Sequence, residues 1–540
     1  METVLIVSFL LSLVLSLLLI PLLIKHSARL NLVDDPVGSA RKLHEAPMPR
    51  SGGLGIIMAA AVALLIMLPL DESLFSFLLA CLVIIGFGLL DDIVELKPVQ
   101  KLAGQALGIV IAMAGGMVIG EVPLLPDSPD WFCYALTFVF VLGVINGVNF
   151  SDGMDGLAAG TTLMALLLIF VLATEANNNQ VATIALAVSA ALIGFLRFNT
   201  HPASIFMGDA GSQFLGFVVA WLAIAVSQAE SAPITTLMPL LILGIPVMDI
   251  LQVVPVRIKK KLPLPGPDRE HFHHQIAKLG FYQYEVVAII YVLQAVLLGS
   301  AYVLRYGYDP VIFLLYLAFV ATILGLIYYG HSSGWRIRDP LVHASKDRRN
   351  RIFRKLGELH TISGKFYGAA IAVALALAAL ASNELPSSLV YLALLLATLL
   401  LIAKIFTRER FPMAMGRLAT YSATIFLVYG MTVSIRSPAY DLLVNGALVL
   451  LALLLVVSIR TTRKDYFWLT TQDLLVLFFI VLLAPRVPME LGQDLSTGAL
   501  IFRTCVLLYA CEYVLARGEQ ARKRLTVASI VALFLMCWHL

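Results

Sequence analysis

Long apolar stretches follow one another from end to end of the chain, most of them near the ~20 residues a helix needs to cross a bilayer. Each is broken from the next by a short run rich in charge, Gly, Asn or Pro. Strands of a transmembrane barrel would instead alternate polar and apolar residues over about ten positions. The pattern therefore predicts an all-α polytopic membrane protein with about 18 transmembrane helices. Residues 4–24 lack the basic n-region and small-residue cleavage site of a signal peptide and are expected to remain as the first span.

Composition agrees. Of the 540 residues, 60% are hydrophobic and 13% charged, and the mean hydropathy is +0.91, more than a water-soluble domain could hide in one core. The partner this implies is a lipid bilayer, not nucleic acid. The net charge of +4 matters less than where the basic residues lie. Residues 25–50 hold Lys25, Arg29, Arg41, Lys42 and Arg50, whereas residues 120–130 hold Glu121, Asp127 and Asp130 and no basic residue. By the positive-inside bias the first segment is cytoplasmic. Alternating sides from there places residues 91–101, 149–156, 197–212 and 257–285 on the same face. The opposite loops, 174–180 and 228–233, are short and poor in Lys and Arg.

A basic stretch divides the chain. Residues 331–367 include Arg336, Arg338, Lys346, Arg348, Arg349, Arg351, Arg354 and Lys355. They read as a cytoplasmic linker, either a topogenic loop or an amphipathic surface helix drawn to anionic headgroups. The linker separates a membrane domain over residues 1–330, with about eleven spans, from a C-terminal membrane domain over 368–540 with about seven. Cys81, Cys133, Cys505, Cys511 and Cys537 lie in or beside apolar runs without metal-ligand spacing, and are expected to pack.

Four of the first domain's cytoplasmic loops concentrate chemistry-bearing residues. Asp91-Asp92, with Lys97 and Lys101 following, ends one span; neighbouring carboxylates there repel and attract a cation or a proton. Asn149, Asp152 and Asp155 recur every third residue in a Gly-rich turn, a set of hard oxygens suited to magnesium. An EF-hand is excluded because its twelfth-position Glu is missing. Phe206-Met207-Gly208-Asp209-Ala210-Gly211-Ser212 opens the eighth span, where free helix N–H groups could cradle phosphate while Asp209 binds a metal. It is not a Walker A loop. Pro267 to His274 carries Arg269, His271, His273 and His274. Without a nearby Cys these fit anion and sugar contacts better than zinc.

Acids for a metal, a phosphate cradle and cationic donors on one membrane face suggest phosphoryl chemistry between a water-soluble and a lipid partner. In these motifs the chain resembles the polyprenyl-phosphate N-acetylhexosamine-1-phosphate transferases. The matches run in order: Asp34-Asp35-Pro36 with Arg41 to His44 and Pro47 to Gly53; Leu90-Asp91-Asp92 with Lys101; Asn149 to Leu157; Phe206 to Ser212; and Pro267 to His274. The arginine-rich first loop and the HxHH form look more like the UDP-GlcNAc branch than the muramoyl-pentapeptide branch.

The resemblance implies that the first eleven or so spans form the transferase bundle. There undecaprenyl phosphate would attack the β-phosphate of a UDP-N-acetylhexosamine and release UMP, starting a lipid-linked cell-surface glycan such as O-antigen. It implies Asp91 or Asp92 as the catalytic carboxylate that positions or deprotonates the lipid phosphate. Lys101 and Arg50 would be substrate-binding, Asp209 and Asn149 would hold Mg2+ (Mn2+ as the alternative ion), and Asp152 and Asp155 would touch the nucleotide or the metal's outer shell. Arg269, His271, His273 and His274 would face the diphosphate and sugar. The resemblance further implies a bacterial inner membrane with the active site cytoplasmic. A homodimer is a candidate assembly. The rival functions are a transporter or flippase for lipid-linked sugars and a catalytically inert scaffold. Residues 368–540 match nothing in the resemblance; their Asp473, Arg503 and Glu512 are charges in or near predicted spans, of functional use or snorkelling at span ends.

Overall fold

The computed structural model describes residues 2–34, 47–120, 122, 125, 127–228, 234–261 and 270–337, and scattered helical positions between 394 and 535. The chain divides into two compact units, Thr3–His343 and Ala344–Leu540; the division falls inside the basic stretch 331–367.

The first unit is a helical bundle. Its helices are α1 (Glu2–His26), α2 (Gly52–Met67), α3 (Glu72–Val94), α4 (Pro98–Ala114), α5 (Asp130–Ser151), α6 (Leu157–Glu175), α7 (Asn179–Asn199) and α8 (Gly208–Ser227). Beyond these come α9 (Met238–Ile242), α10 (Gly244–Lys259), α11 (Phe272–Lys278), α12 (Gln283–Val303) and α13 (Asp309–Ser332). Eight of the described helices are long and apolar enough to cross a membrane. Three more, α2, α4 and α10, have 16, 17 and 16 residues, short of a full crossing. Against the expected eleven or so spans of this domain, the described residues give eight helices of full length and two shorter apolar ones, α2 and α4. The further seven or so expected after residue 368 fall largely outside the described residues.

Lipid gives no hydrophobic reward for bringing helices together, so close packing and buried hydrogen bonds must do it. Both occur. Ser12 and Ser16, one turn apart on α1, donate to the carbonyls of Ala187 and Ala191 on α7 at 2.7 and 2.8 Å. A Cβ added to Gly53 on α2 would lie 2.4 Å from the Cα of Gly211, and one on Gly88 of α3 would lie 2.6 Å from the Cα of Ala210. Only glycine at these positions lets α2 and α3 close onto the first turn of α8. The helices α6 and α8 are the most enclosed, whereas α13 exposes most of its length.

A two-stranded antiparallel ribbon joins α1 to α2: β1 (Val33–Asp34) pairs with β2 (Met48–Pro49). Residues 35–46, including Arg41 and Lys42, lie outside the described residues, as do 262–269 with Arg269. In the second unit, described positions include the helix Glu519–Leu535 and Arg503, 1% exposed, whose Nε donates to Asn445 Oδ1 at 2.9 Å. Asp473 and Glu512 are outside the described residues. Cys81, Cys133 and Cys511 are buried free thiols, in keeping with a packing role.

Candidate active site

Alternating helix directions bring the ends of α3, α5, α7 and α10 and the starts of α2, α4, α6, α8 and α12 to one end of the first unit. A cavity of about 580 Å3 opens there, lined among others by Arg50, Asp92, Asn149, Asp152, Asp209 and His274.

Asp91 and Asp92 are consecutive on a helix, so their side chains diverge by about 100° and serve different partners. Asp91 Oδ2 pairs with Lys101 Nζ at 3.0 Å, and its Oδ1 accepts the Leu96 N–H at 2.8 Å, closing the turn into α4. Asp92 instead receives the N–H groups of Asp209 at 2.7 Å and Ala210 at 3.0 Å. It thus caps α8 from another helix, supplying the acceptors a helix start lacks. The expected phosphate cradle at this helix start is corrected accordingly: two of its N–H groups are already taken by Asp92.

Lys101, one turn into α4, is the charge centre. Its Nζ lies 2.8 Å from Asp209 Oδ1, 3.0 Å from Asp91 Oδ2 and 3.3 Å from Asn149 Oδ1. Asn149, near the end of α5, donates through Nδ2 to Asp209 Oδ1 and to Ser212 Oγ, the latter at 2.7 Å. Beneath this cluster runs an amide chain: half-buried Asn146 donates through Nδ2 to Gln105 Oε1 at 2.8 Å, and Gln105 Nε2 donates to Gln213 Oε1 at 2.9 Å, both glutamines being fully buried. Gln213 Nε2 has no hydrogen-bond partner among the described residues.

Across the cavity, α5 ends at Ser151 and the chain turns through residues 152–156 into α6. The Asp152 carboxyl lines the cavity, pushed well above the usual carboxylate range by burial and then by the charges of Asp209, Asp92 and Asp155. Asp155 accepts from His201 Nδ1 at 2.8 Å and from the Ala203 N–H at 3.1 Å. Arg50 pairs with Asp34 at 2.6 Å, a contact set up by the β1–β2 ribbon.

The histidines separate. His271 is buried, its Nδ1 2.9 Å from Asp249 Oδ2 and its ring centroid 4.5 Å from that of Phe150. His273 is buried against the 152–156 turn, where a Cβ on Gly153 would come within 2.8 Å of its Nε2. Burial, with His274 and His271 nearby, lowers its pKa to about 3, so this ring is neutral. Of the three, His274 lines the cavity. Asp249, His201, the Gln105–Gln213 pair and Asn199, a cavity residue whose Oδ1 accepts the Gly156 N–H at 3.0 Å, are not singled out in the sequence. Asp249 had a signal, a carboxylate within an apolar helix; the others reveal themselves only through partners distant in the chain.

As a donor set, the cavity is rich in carboxylate and amide oxygen. Among the described residues no three His, Cys, Asp or Glu side chains form a group able to hold a metal by themselves. Magnesium, however, needs only one or two protein carboxylates where a bound diphosphate supplies the remaining oxygens. Beyond burial, the neighbouring carboxylates Asp209, Asp92 and Asp155 push the Asp152 carboxyl upward, and a divalent cation would offset that concentration of acid, so Asp209 and its neighbours suit such an ion.

Comparison with known proteins matches this architecture. The family model for glycosyl transferase family 4 matches residues 74–227, from α3 to α8. The chain belongs to this family, a membrane transferase of the polyprenyl-phosphate sugar-phosphate type. It is 31% identical over 334 residues to a Bacillus subtilis protein named "Probable undecaprenyl-phosphate N-acetylglucosaminyl 1-phosphate transferase", covering 60% of this chain and 92% of the relative. An Escherichia coli O157:H7 undecaprenyl-phosphate alpha-N-acetylglucosaminyl 1-phosphate transferase is 27% identical over 61% of this chain and 91% of its own. A phospho-N-acetylmuramoyl-pentapeptide-transferase from Halalkalibacterium halodurans is 33% identical over 53% of this chain and 93% of its own. The C-terminal extension is unmatched.

Proposed function

We propose that the protein transfers N-acetylhexosamine-1-phosphate, GlcNAc-1-phosphate foremost, from a UDP-sugar to undecaprenyl phosphate, releasing UMP at the cytoplasmic face of a bacterial inner membrane. The product would begin a lipid-linked cell-surface glycan. The observation that carries this is Lys101. Its ammonium, held by Asp91, Asn149 and Asp209, sits beside a water-accessible cavity at the end of an apolar bundle. A lipid phosphate arriving from the bilayer and a diphosphate arriving from water would meet the same charge centre. The names of the relatives support the choice of both substrates.

In this mechanism a phosphate oxygen of the lipid attacks the β-phosphorus of the donor, and the bond from that phosphorus to the oxygen bridging to the α-phosphate breaks as UMP leaves. The nucleophile is already an anion, so rate rests on positioning and charge neutralisation more than on a strong base. Lys101 neutralises the incoming phosphate. Asp91 holds Lys101 there, and Asp92 fixes Asp209 through the start of α8. Mg2+, or Mn2+, held by Asp209 with Asn149 orienting it, would neutralise the donor diphosphate and ease departure of UMP. Arg50, Asp152, Asp155 and His274 surround the space for the nucleotide sugar. A transporter would place its polar site near the bilayer midplane, whereas these groups gather at helix ends.

The test is a panel of UDP-sugars offered to purified protein with undecaprenyl phosphate and magnesium. UMP release that needs both lipid and ion is expected. Its absence with every sugar would refute the assignment.

A further inference from the structure

His201 stands at the start of the loop that joins α7 to α8, and it lines the cavity. Its side chain is 44% exposed, whereas His271 and His273 are buried. The ring is nevertheless held. Nδ1 lies 2.8 Å from Asp155 Oδ2, and the same oxygen accepts the Ala203 N–H at 3.1 Å. An ionised carboxylate can only accept, so the bond to His201 requires the proton on Nδ1. In the neutral ring Nε2 is then an acceptor, and among the described residues it has no hydrogen-bond partner.

The loop has anchors of its own. Buried Asn199 ties it to the 152–156 turn, its Oδ1 accepting the Gly156 N–H at 3.0 Å while its Nδ2 donates to the Ile205 carbonyl at 2.9 Å. The Ser204 N–H is bonded to the Phe198 carbonyl at 2.8 Å. What His201 adds is an oriented acceptor on the cavity wall. Such an acceptor selects N–H and O–H groups and gives nothing to an anion. On a nucleotide sugar the diphosphate is therefore excluded as its partner, and the available donors are the uracil imide, the ribose hydroxyls, and the hydroxyls and acetamide N–H of the hexosamine.

We propose that His201 is a specificity residue for the transfer reaction, its Nε2 accepting a hydrogen bond from one of these uncharged parts of the nucleotide sugar while Asp155 fixes the ring. This rests on the proposed function and adds to it a contact that reads the donor apart from its charge. Asp155 then acts on the substrate through His201, as carboxylates do that set the tautomer and orientation of other functional imidazoles.

The test uses the full-length protein and reads kcat, KM for UDP-GlcNAc, KM for undecaprenyl phosphate and the melting temperature. His201→Asn keeps an amide N–H for Asp155 but has nothing in place of Nε2. It should raise KM for UDP-GlcNAc about 3- to 10-fold, with kcat, KM for the lipid and the melting temperature near wild type. UDP-GlcNAc analogues locate the contact: one N-methylated at the uracil imide, others lacking a ribose hydroxyl, and others lacking a hexosamine hydroxyl or N-methylated at the acetamide. The analogue without the contacted donor should be poorer for wild type by a similar factor and should cost His201→Asn nothing further. An unchanged KM for UDP-GlcNAc in His201→Asn, or equal penalties for every analogue in wild type and variant, would overturn the proposal. Should His201→Asn fail to fold, His201→Ala is read against the same analogues with the same expectation. A wild-type protein that releases no UMP would remove the functional reading itself, an outcome separate from a variant that behaves like an active wild type.

Discussion

Asp92 holds Asp209 in place: the carboxylate ending α3 receives the backbone N–H of Asp209 at 2.7 Å, and that of Ala210 at 3.0 Å, at the start of α8. One acid of the Asp91-Asp92 pair is thus structural support for the carboxylate assigned to the cation, while the other pairs with Lys101.

This division predicts distinct phenotypes. Asp92→Asn keeps one acceptor but loses the second, so it should lower stability by about 0.5–2 kcal/mol, as for a lost helix cap, and lower activity with it. Asp91→Asn can still accept the Leu96 N–H, and should lose activity with a smaller change in melting temperature. Thermal melts in detergent beside turnover assays separate the two; equal melting temperatures would contradict the capping role.

Gly208 joins the same support. Its φ of +79° lies in the left-handed region, and an added Cβ would stand 2.5 Å from the Arg50 carbonyl oxygen and 2.8 Å from Asp92 Oδ2. Gly208→Ala should destabilise the protein by about 1–3 kcal/mol and sharply reduce activity, checked by melting and UMP release.

The amide chain makes a graded prediction. Gln105 bridges Asn146 and Gln213, whereas Gln213 has Gln105 as its one side-chain partner. Gln213→Leu orphans one buried donor, at a cost of about 1–3 kcal/mol. Gln105→Leu leaves the fully buried Gln213 amide with neither its oxygen nor its nitrogen paired among the described residues, although Asn146 keeps the Leu142 carbonyl, and should cost more. Equal melting temperatures for the two variants would remove the network from the account.

His273 makes stability depend on pH. Its ring is held neutral by burial, with a folded pKa of about 3 against 6.5 when exposed. As pH falls below 6.5 the unfolded chain takes up a proton that the folded chain refuses, so stability falls by about 1.4 kcal/mol per unit until the folded pKa is reached. Above 6.5 this contribution is constant. His273→Gln should show a shallower loss of melting temperature between pH 7 and 5 than wild type.

Much of the bundle was legible because hydropathy and helix-ending residues mark spans independently of tertiary structure; the eighth helix opens at Gly208, where the sequence placed the eighth span. The gathering of Asp91, Lys101, Asn149 and Asp209 was legible too, since each stands at a helix end on the same side. What escaped depends on long-range partners. Nothing local says that Asp92 serves a backbone 117 residues away, or that Asp249 grips His271. The first N–H groups of α8 looked free because sequence shows a helix start but not what caps it.

The most direct measurement follows UMP formation from UDP-GlcNAc and undecaprenyl phosphate by purified wild-type and Asp209→Asn protein across a magnesium titration. The account predicts ion-dependent turnover by wild type and a loss of about 100-fold or more in a folded Asp209→Asn. Wild-type turnover by that variant at every magnesium concentration would contradict it.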